Sequence, residues 1–221
     1  MWPWSKKTIA QASVKLPLSE LRKRARILVV DDDPTAFPHK LLTKEGYNVT
    51  YWRTIDNIRD LESGEYDIIV LDIEGITPPT VSTTGGIGIL THIKKYNPGQ
   101  IVIAYSGHKY DLRHADFWNI ADDYLGKPSS LLDCKEKIDS LLEREFTATY
   151  YATVLKQLLS DNGASEKQIA KLEHAIVKNK DKGTLSEDSI IKITGIAKNA
   201  VGVVSIIVNV VLRLLHPAAA P

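Results

Sequence analysis

Between residues 27 and 146, apolar residues gather in short runs separated by amphipathic stretches. The runs Ile27–Val30, Val49–Trp52, Asp67–Asp72, Ile101–Ser106 and Asp123–Leu125 predict strands. Helices are predicted at about 36–45, 55–63, 86–96, 110–120 and 130–146. The segments "ILVV" and "IIVLD" show no polar alternation, as a parallel sheet covered on both faces requires. Five successive β–α units predict an α/β fold, a doubly wound five-stranded parallel sheet with helices on both sides. Residues 1–25 read as an N-terminal arm, broken by Pro3 and Pro17, with a helical turn over Ser19–Arg24. Expected boundaries are therefore 1–25 for the arm, 26–146 for the α/β domain and 147–221 for a helical region.

The predicted strands end in polar residues. "ILVV" runs into Asp31, Asp32 and Asp33; "IIVL" into Asp72; "VIAY" into Ser106; and "DYLG" into Lys127-Pro128. In an open α/β sheet, function gathers beyond the carboxyl ends of the strands, near a switch in strand order. Asp31, Asp32 and Asp72 together make a hard, oxygen-rich set suited to Mg²⁺ with waters completing an octahedron. With the acids neutralised, Asp72 is the candidate nucleophile towards a phosphoryl donor, forming an acyl phosphate. Lys127 and the Ser106 hydroxyl would bind the phosphoryl oxygens, where electrostatic stabilisation does most of the work. Asp33, surplus to the metal, is expected to cap a helix starting near Pro34.

Composition narrows the field. The chain has 221 residues, 43% hydrophobic and 25% charged, as soluble globular proteins do. Its single cysteine, Cys134, excludes an internal disulfide framework and a four-cysteine zinc site and fits a reducing compartment. No apolar run of signal-peptide length opens the sequence, so the start is expected to be retained. The net charge of +1 hides a division: +6 over residues 1–26, −8 over 27–146 and +3 over 147–221. An acidic middle with basic ends argues against one nucleic-acid-binding surface across the molecule, and no nucleic-acid partner is expected.

The set "ILVVDDDP", "DIIVLDIEG", "VIAYSGH" and "ADDYLGKP" resembles the receiver domain of two-component response regulators, a flavodoxin-like fold, over about residues 26–146. The resemblance implies Asp31 and Asp32 as the acid pair, Asp72 as phosphoacceptor, Ser106 as switch hydroxyl and Lys127 as the phosphate-pairing lysine. It further implies a cis peptide before Pro128 and a switch aromatic at Tyr124, whose side chain moves inward when Ser106 engages the phosphoryl group. The backbone carbonyl of Glu74 would be a further ligand to Mg²⁺. Glu74 and His108, two residues beyond Asp72 and Ser106, would flank the path of the hydrolytic water and tune the lifetime of the acyl phosphate; His108 is assigned no catalytic role. The connection "IEGITPPTVSTTGGIGIL" is longer than the family's usual one, and reads either as a gate or partner contact or as a tolerated insertion. Phe117 and Trp118 precede the Tyr124 strand; one of these adjacent aromatics could be exposed.

From about Phe146 the pattern is helical. "TYYATVLKQLLSDNG" ends at Gly163, and Ser165 with Gln168 has capping-box spacing. The turn "DKGTLSEDS" is not a calcium loop, because lysines stand where acids are needed and Ser189 stands for the bidentate Glu. One long helix is expected from about Ser186 to Leu215, apolar nearly all round, with a narrow stripe through Lys192, Gly195, Asn199, Gly202, Ser205, Asn209 and Arg213. Fourteen uncharged residues between Lys198 and Arg213 are too few for an ordinary transmembrane span. Such a helix suits a buried bundle, a homo-oligomer or partner-helix surface over residues 186–215, or a segment lying on a membrane surface. Trp2, Trp4, Lys6 and Lys7 would suit the last of these. No recognition-helix pattern, zinc spacing or phosphate loop marks the region, and His174 is read as an exposed helical residue.

The resulting expectation is a cytoplasmic phosphoprotein of a two-component, phosphorelay type. A histidine kinase or phosphotransfer protein would phosphorylate Asp72 with Mg²⁺ bound, switching the association of a helical output module. The chain would not be an enzyme in its own right beyond self-catalysed phosphorylation and dephosphorylation. The alternatives are a phosphorylation-independent receiver-like scaffold and an Asp-nucleophile, phosphatase-like hydrolase.

Overall fold

The structure, a computed structural model, describes residue 9 and residues 16–107, 119–196 and 201–215, with Val201 as backbone only. The chain divides into two compact units, Leu18–Arg144 and Met1–Pro17 with Glu145–Pro221.

The first unit holds α1 (Leu18–Arg24), β1 (Arg26–Val30), α2 (His39–Lys44), β2 (Asn48–Trp52), α3 (Arg59–Glu62), β3 (Ile68–Asp72), α4 (Gly86–Tyr96), β4 (Ile101–Ser106), β5 (Asp123–Gly126) and α5 (Leu131–Glu145). Its five strands are all parallel, in the order β2-β1-β3-β4-β5. This is the doubly wound order whose switch point lies between β1 and β3. Every residue of β3 and β4 is buried, and so are Ile27–Val30 of β1, which is why these strands carry no polar alternation. The edge strands β2 and β5 are partly exposed. Burying each Ile, Leu or Val side chain contributes roughly 1.5–3 kcal/mol.

Departures from the expected elements have local causes. Helix α2 starts at His39 rather than near residue 36 because Pro38 disfavours helical backbone at Phe37. Phe37 instead enters the core, its ring edge-on to Tyr105 at 5.2 Å. Asp33 therefore caps a turn and not a helix, its Oδ1 accepting from Thr35 N at 2.8 Å and Thr35 Oγ1 at 2.7 Å. Helix α3 shrinks to four residues. Ile55, expected to begin it, instead donates its N–H to Ile76 O at 2.6 Å, and Asn57 Oδ1 accepts from Arg59 N at 3.1 Å. The segment expected over 110–120 lies mostly outside the described residues, as do His108, Phe117 and Trp118.

The expected arm is divided. Helix α1 docks on the sheet unit through buried Leu21 and through Arg22, whose guanidinium reaches Asp139 of α5 at 2.9 and 2.6 Å. Tyr47 donates to the same carboxylate at 2.7 Å. Ile9 groups with the second unit, where it is 5% exposed within the helical core.

The second unit contains α6 (Ala148–Asp161), α7 (Glu166–Asn179), a 3₁₀ turn (Lys180–Lys182), α8 (Glu187–Thr194) and α9 (Val201–Leu215). Thr147 Oγ1 caps α6 by accepting from Tyr150 N at 3.1 Å. Ser165 N donates to Gln168 Oε1 at 2.8 Å, one half of the capping box at the head of α7. The single long helix expected from Ser186 is interrupted: α8 ends at Thr194, and the capping Gly195 adopts φ 73° and donates to Ile191 O at 2.8 Å. Helix α9 buries Val204, Ile206, Ile207, Val210, Val211, Leu214 and Leu215 in this unit's own core, alongside Tyr151, Leu155, Leu172 and Ile190. Burial within the chain thus accounts for most of its apolar face, while Leu212 stays 39% exposed. Among the described residues, no helix is long and apolar enough to cross a membrane.

Candidate functional site

Strand order brings the chemistry together. β1 and β3 are neighbours, with Val30 opposite Leu71, so the residues that follow at their carboxyl ends share one rim. One oxygen from each of Asp31, Asp32 and Asp72 lies within 4.8 Å of the others. Asp31 is fully buried, Asp72 is 6% exposed and Asp32 is open to solvent. Lys127, at the end of β5, bridges the two buried acids, its Nζ 2.8 Å from Asp31 Oδ2 and 2.7 Å from Asp72 Oδ2. The Lys127–Pro128 peptide is cis. The ammonium also lies 4.9 Å from the centroid of the buried Tyr105 ring.

The two buried carboxylates are further fixed by backbone N–H groups, and the main chain of Asp31 and Asp32 by side chains of the β2 edge. Ile73 N donates to Asp72 Oδ1 at 2.7 Å, and Asp33 N to Asp31 Oδ1 at 3.0 Å. Tyr51 OH donates to the carbonyl of Asp31, and Arg53 Nε to the carbonyl of Asp32 at 3.1 Å. Burial pushes the pKa of Asp72 above the usual carboxylate range and the Asp31 charge adds to it, while Lys127 works in the opposite direction. For Lys127, burial disfavours the charged form, but the two carboxylates outweigh it and raise its pKa. Asp33, held by Thr35, is shifted down and takes no part in the cluster.

One cation facing three acids leaves negative charge over. Two carboxylate oxygens at such spacing repel by on the order of 3–4 kcal/mol at an effective dielectric of about 20. Asp31 Oδ2, although close to Lys127, receives no well-directed hydrogen bond. A buried, under-satisfied carboxylate oxygen beside two further hard oxygen donors fits a small, hard divalent cation such as Mg²⁺.

Ser106 ends β4, is 2% exposed and pairs with Gly126, directly before Lys127. Tyr124 of β5 is 41% exposed, with Lys137 Nζ 5.6 Å from its ring centroid, so its side chain is directed outward. The Glu74 side chain is exposed, and its carbonyl belongs to the peptide that leads into Gly75. Sequence reasoning passed over Tyr51, Arg53, Tyr105 and Gly75. The first two sit at the end of the β2 edge strand, and their position after an apolar run was the available signal; Gly75 offered none beyond being a glycine near Asp72.

The long connection after Asp72 is closed at its base. Gly85 has φ 59° and Gly86 N donates to Ile73 O at 2.7 Å, where a Cβ on Gly86 would meet Asp72 O at 2.1 Å. Residues 73 and 86 therefore touch across the loop.

No protein-family model and no curated protein matches the chain. Solved structures similar to it are response regulator receiver domains covering about 55% of the chain, and the C-terminal helical region lies outside these matches. One is a CheY-like response regulator receiver domain protein from Methanospirillum hungatei, 29% identical over 55% of this chain and 95% of that one, with a TM-score of 0.46. Another is the response regulator protein TrrA from Thermotoga maritima in complex with Mg²⁺ and BeF, 28% identical over 53% of this chain and 98% of that one, TM-score 0.43. A two-component response regulator from Clostridium difficile is 22% identical over 55% and 98%, TM-score 0.45.

Proposed function

We propose that this chain is a response regulator whose Asp72 accepts a phosphoryl group from a histidine kinase or phosphotransfer protein, with Mg²⁺ at Asp31, Asp32 and Asp72. The observation that carries the reading is the three-carboxylate cluster bridged by Lys127 at 2.8 and 2.7 Å. An Asp72 oxygen attacks phosphorus in line as the donor's P–N or P–O bond breaks; the leaving group keeps the electron pair and is protonated. Mg²⁺, held by the three carboxylates and the Glu74 carbonyl, would neutralise charge on the phosphoryl oxygens. Lys127 exchanges its Asp72 contact for a phosphoryl oxygen while keeping Asp31, and Ser106 hydrogen-bonds another. Tyr124 then moves inward, and the change at the rim alters how the helical unit associates with its target or with a second copy. The chain serves as phosphoacceptor and catalyses its own dephosphorylation, with Glu74 and His108 as tuning positions. Incubation with acetyl phosphate and Mg²⁺, followed by intact mass and phosphate release, separates the readings. A long-lived single phosphoryl adduct supports the regulator; continuous phosphate release would indicate a hydrolase, and no adduct a scaffold.

A further inference from the structure

The connection that follows Asp72 approaches the acid cluster at one point. Gly75 adopts φ 73°, and a Cβ built there would lie 2.4 Å from Asp32 Oδ2, 2.6 Å from its Cγ and 3.0 Å from its Oδ1. Only a residue without a side chain lets this backbone lie against that carboxylate. Neither partner is loosely held. Ile76 is fully buried and its carbonyl accepts from Ile55 N at 2.6 Å, while Thr77 Oγ1 donates to Ile55 O at 3.2 Å. On the other side, the Asp32 main chain is held by Arg53 Nε at 3.1 Å.

We infer that Gly75 is a positioning residue for the metal site: its bare backbone is the wall that keeps the Asp32 carboxylate beside Asp31 and Asp72. The inference rests on the Mg²⁺ reading above. A methyl group at 75 has two ways out. Moving the backbone would pull Ile76 from the core and break its bond to Ile55, whereas the Asp32 carboxylate faces solvent and accepts no hydrogen bond from the described residues, so that it can rotate freely. Asp32 therefore gives way and its oxygen leaves the cluster.

The test is calorimetric Mg²⁺ titration with thermal melting of the full-length protein and three variants, Gly75→Ala, Asp32→Ala and the double variant, with Gly46→Ala as a control. Gly46 has φ 89° with nothing within 4 Å of its Cβ, so it reports the cost of left-handed backbone alone. Gly75→Ala is expected to weaken Mg²⁺ binding by about 10- to 100-fold. Gly46→Ala should leave binding unchanged. In the Asp32→Ala background Gly75→Ala should change Mg²⁺ affinity no further and lower the melting temperature less. Should Gly75→Ala fail to fold while Gly46→Ala and the double variant do fold, the clash with Asp32 is established by that rescue. Unaltered affinity in Gly75→Ala, or equal losses of melting temperature in both backgrounds, overturns the inference. Absence of Mg²⁺ binding by the unaltered protein overturns the metal reading itself, a distinct outcome.

Discussion

In the sheet unit, apolar strands stop abruptly at chemistry: β1 runs into Asp31, β3 ends in Asp72, β4 ends in Ser106 and β5 runs into Lys127. In the helical unit, α9 is almost as apolar as those strands, yet seven of its residues go into closing a core with α6, α7 and α8. Among the described residues, the only cluster of acids, histidines or cysteines with metal-ligand spacing is the one at the sheet rim. A buried sheet must place its polar residues at the strand ends, where they converge; a bundle spreads them over its outside. The same hydrophobicity thus marks a site in one unit and stability in the other.

The comparison is most sharply broken at the two cores. Ile207→Ala in α9, 1% exposed, should cost about 2–5 kcal/mol and melt the helical unit early while Asp72 remains open to phosphorylation. Early melting together with loss of labelling would show that the site depends on the bundle. Next in size is Asp139→Ala, which strips α1 and Tyr47 of their shared partner and should cost about 1.5–3 kcal/mol, measured by urea unfolding of the sheet unit. A cost near zero would mean that α1 docks through Leu21 alone.

Asp72 gives a smaller effect with a definite sign. Burial raises its folded pKa above the unfolded value, so the folded state holds the proton more tightly. Without metal, this group's contribution therefore falls as pH rises from its unfolded value of 3.8 through the raised folded pKa. Asp72→Asn should melt higher than the unaltered protein at neutral pH in chelator, with the gap closing in acid below the unfolded pKa. A variant that melts lower at neutral pH would show that Lys127 outweighs burial. Smallest is Ser165→Ala at the head of α7, which removes the Ser165 hydroxyl from the capping box, about 0.5–1 kcal/mol by thermal melting of the helical unit.

Much of the sheet unit was legible because strands buried on both faces leave an unambiguous pattern, and the strand-end rule then places Asp31, Asp32, Asp72 and Lys127 on one rim without coordinates. What escaped depends on contacts between residues far apart in sequence. Gly75 matters only because Asp32, forty-three positions earlier, lies against it. Leu18–Arg24 belongs to the sheet unit because Arg22 meets Asp139, 117 positions away. The break at Gly195 was visible as a residue but masked by the apolar residues on either side; its left-handed backbone decided the matter. Tyr51 and Arg53 reach the acids through backbone carbonyls, which no side-chain pattern reveals.

The central claim is that the cation-dependent carboxylate at residue 72 takes up phosphorus. It is tested most directly by locating the modified residue after reaction with a small phosphoryl donor, using hydroxylamine-sensitive labelling and peptide sequencing by mass spectrometry. The account predicts one acyl phosphate, on Asp72, abolished by chelator and by Asp72→Asn. Labelling that survives chelation, falls on another residue or never occurs would contradict it.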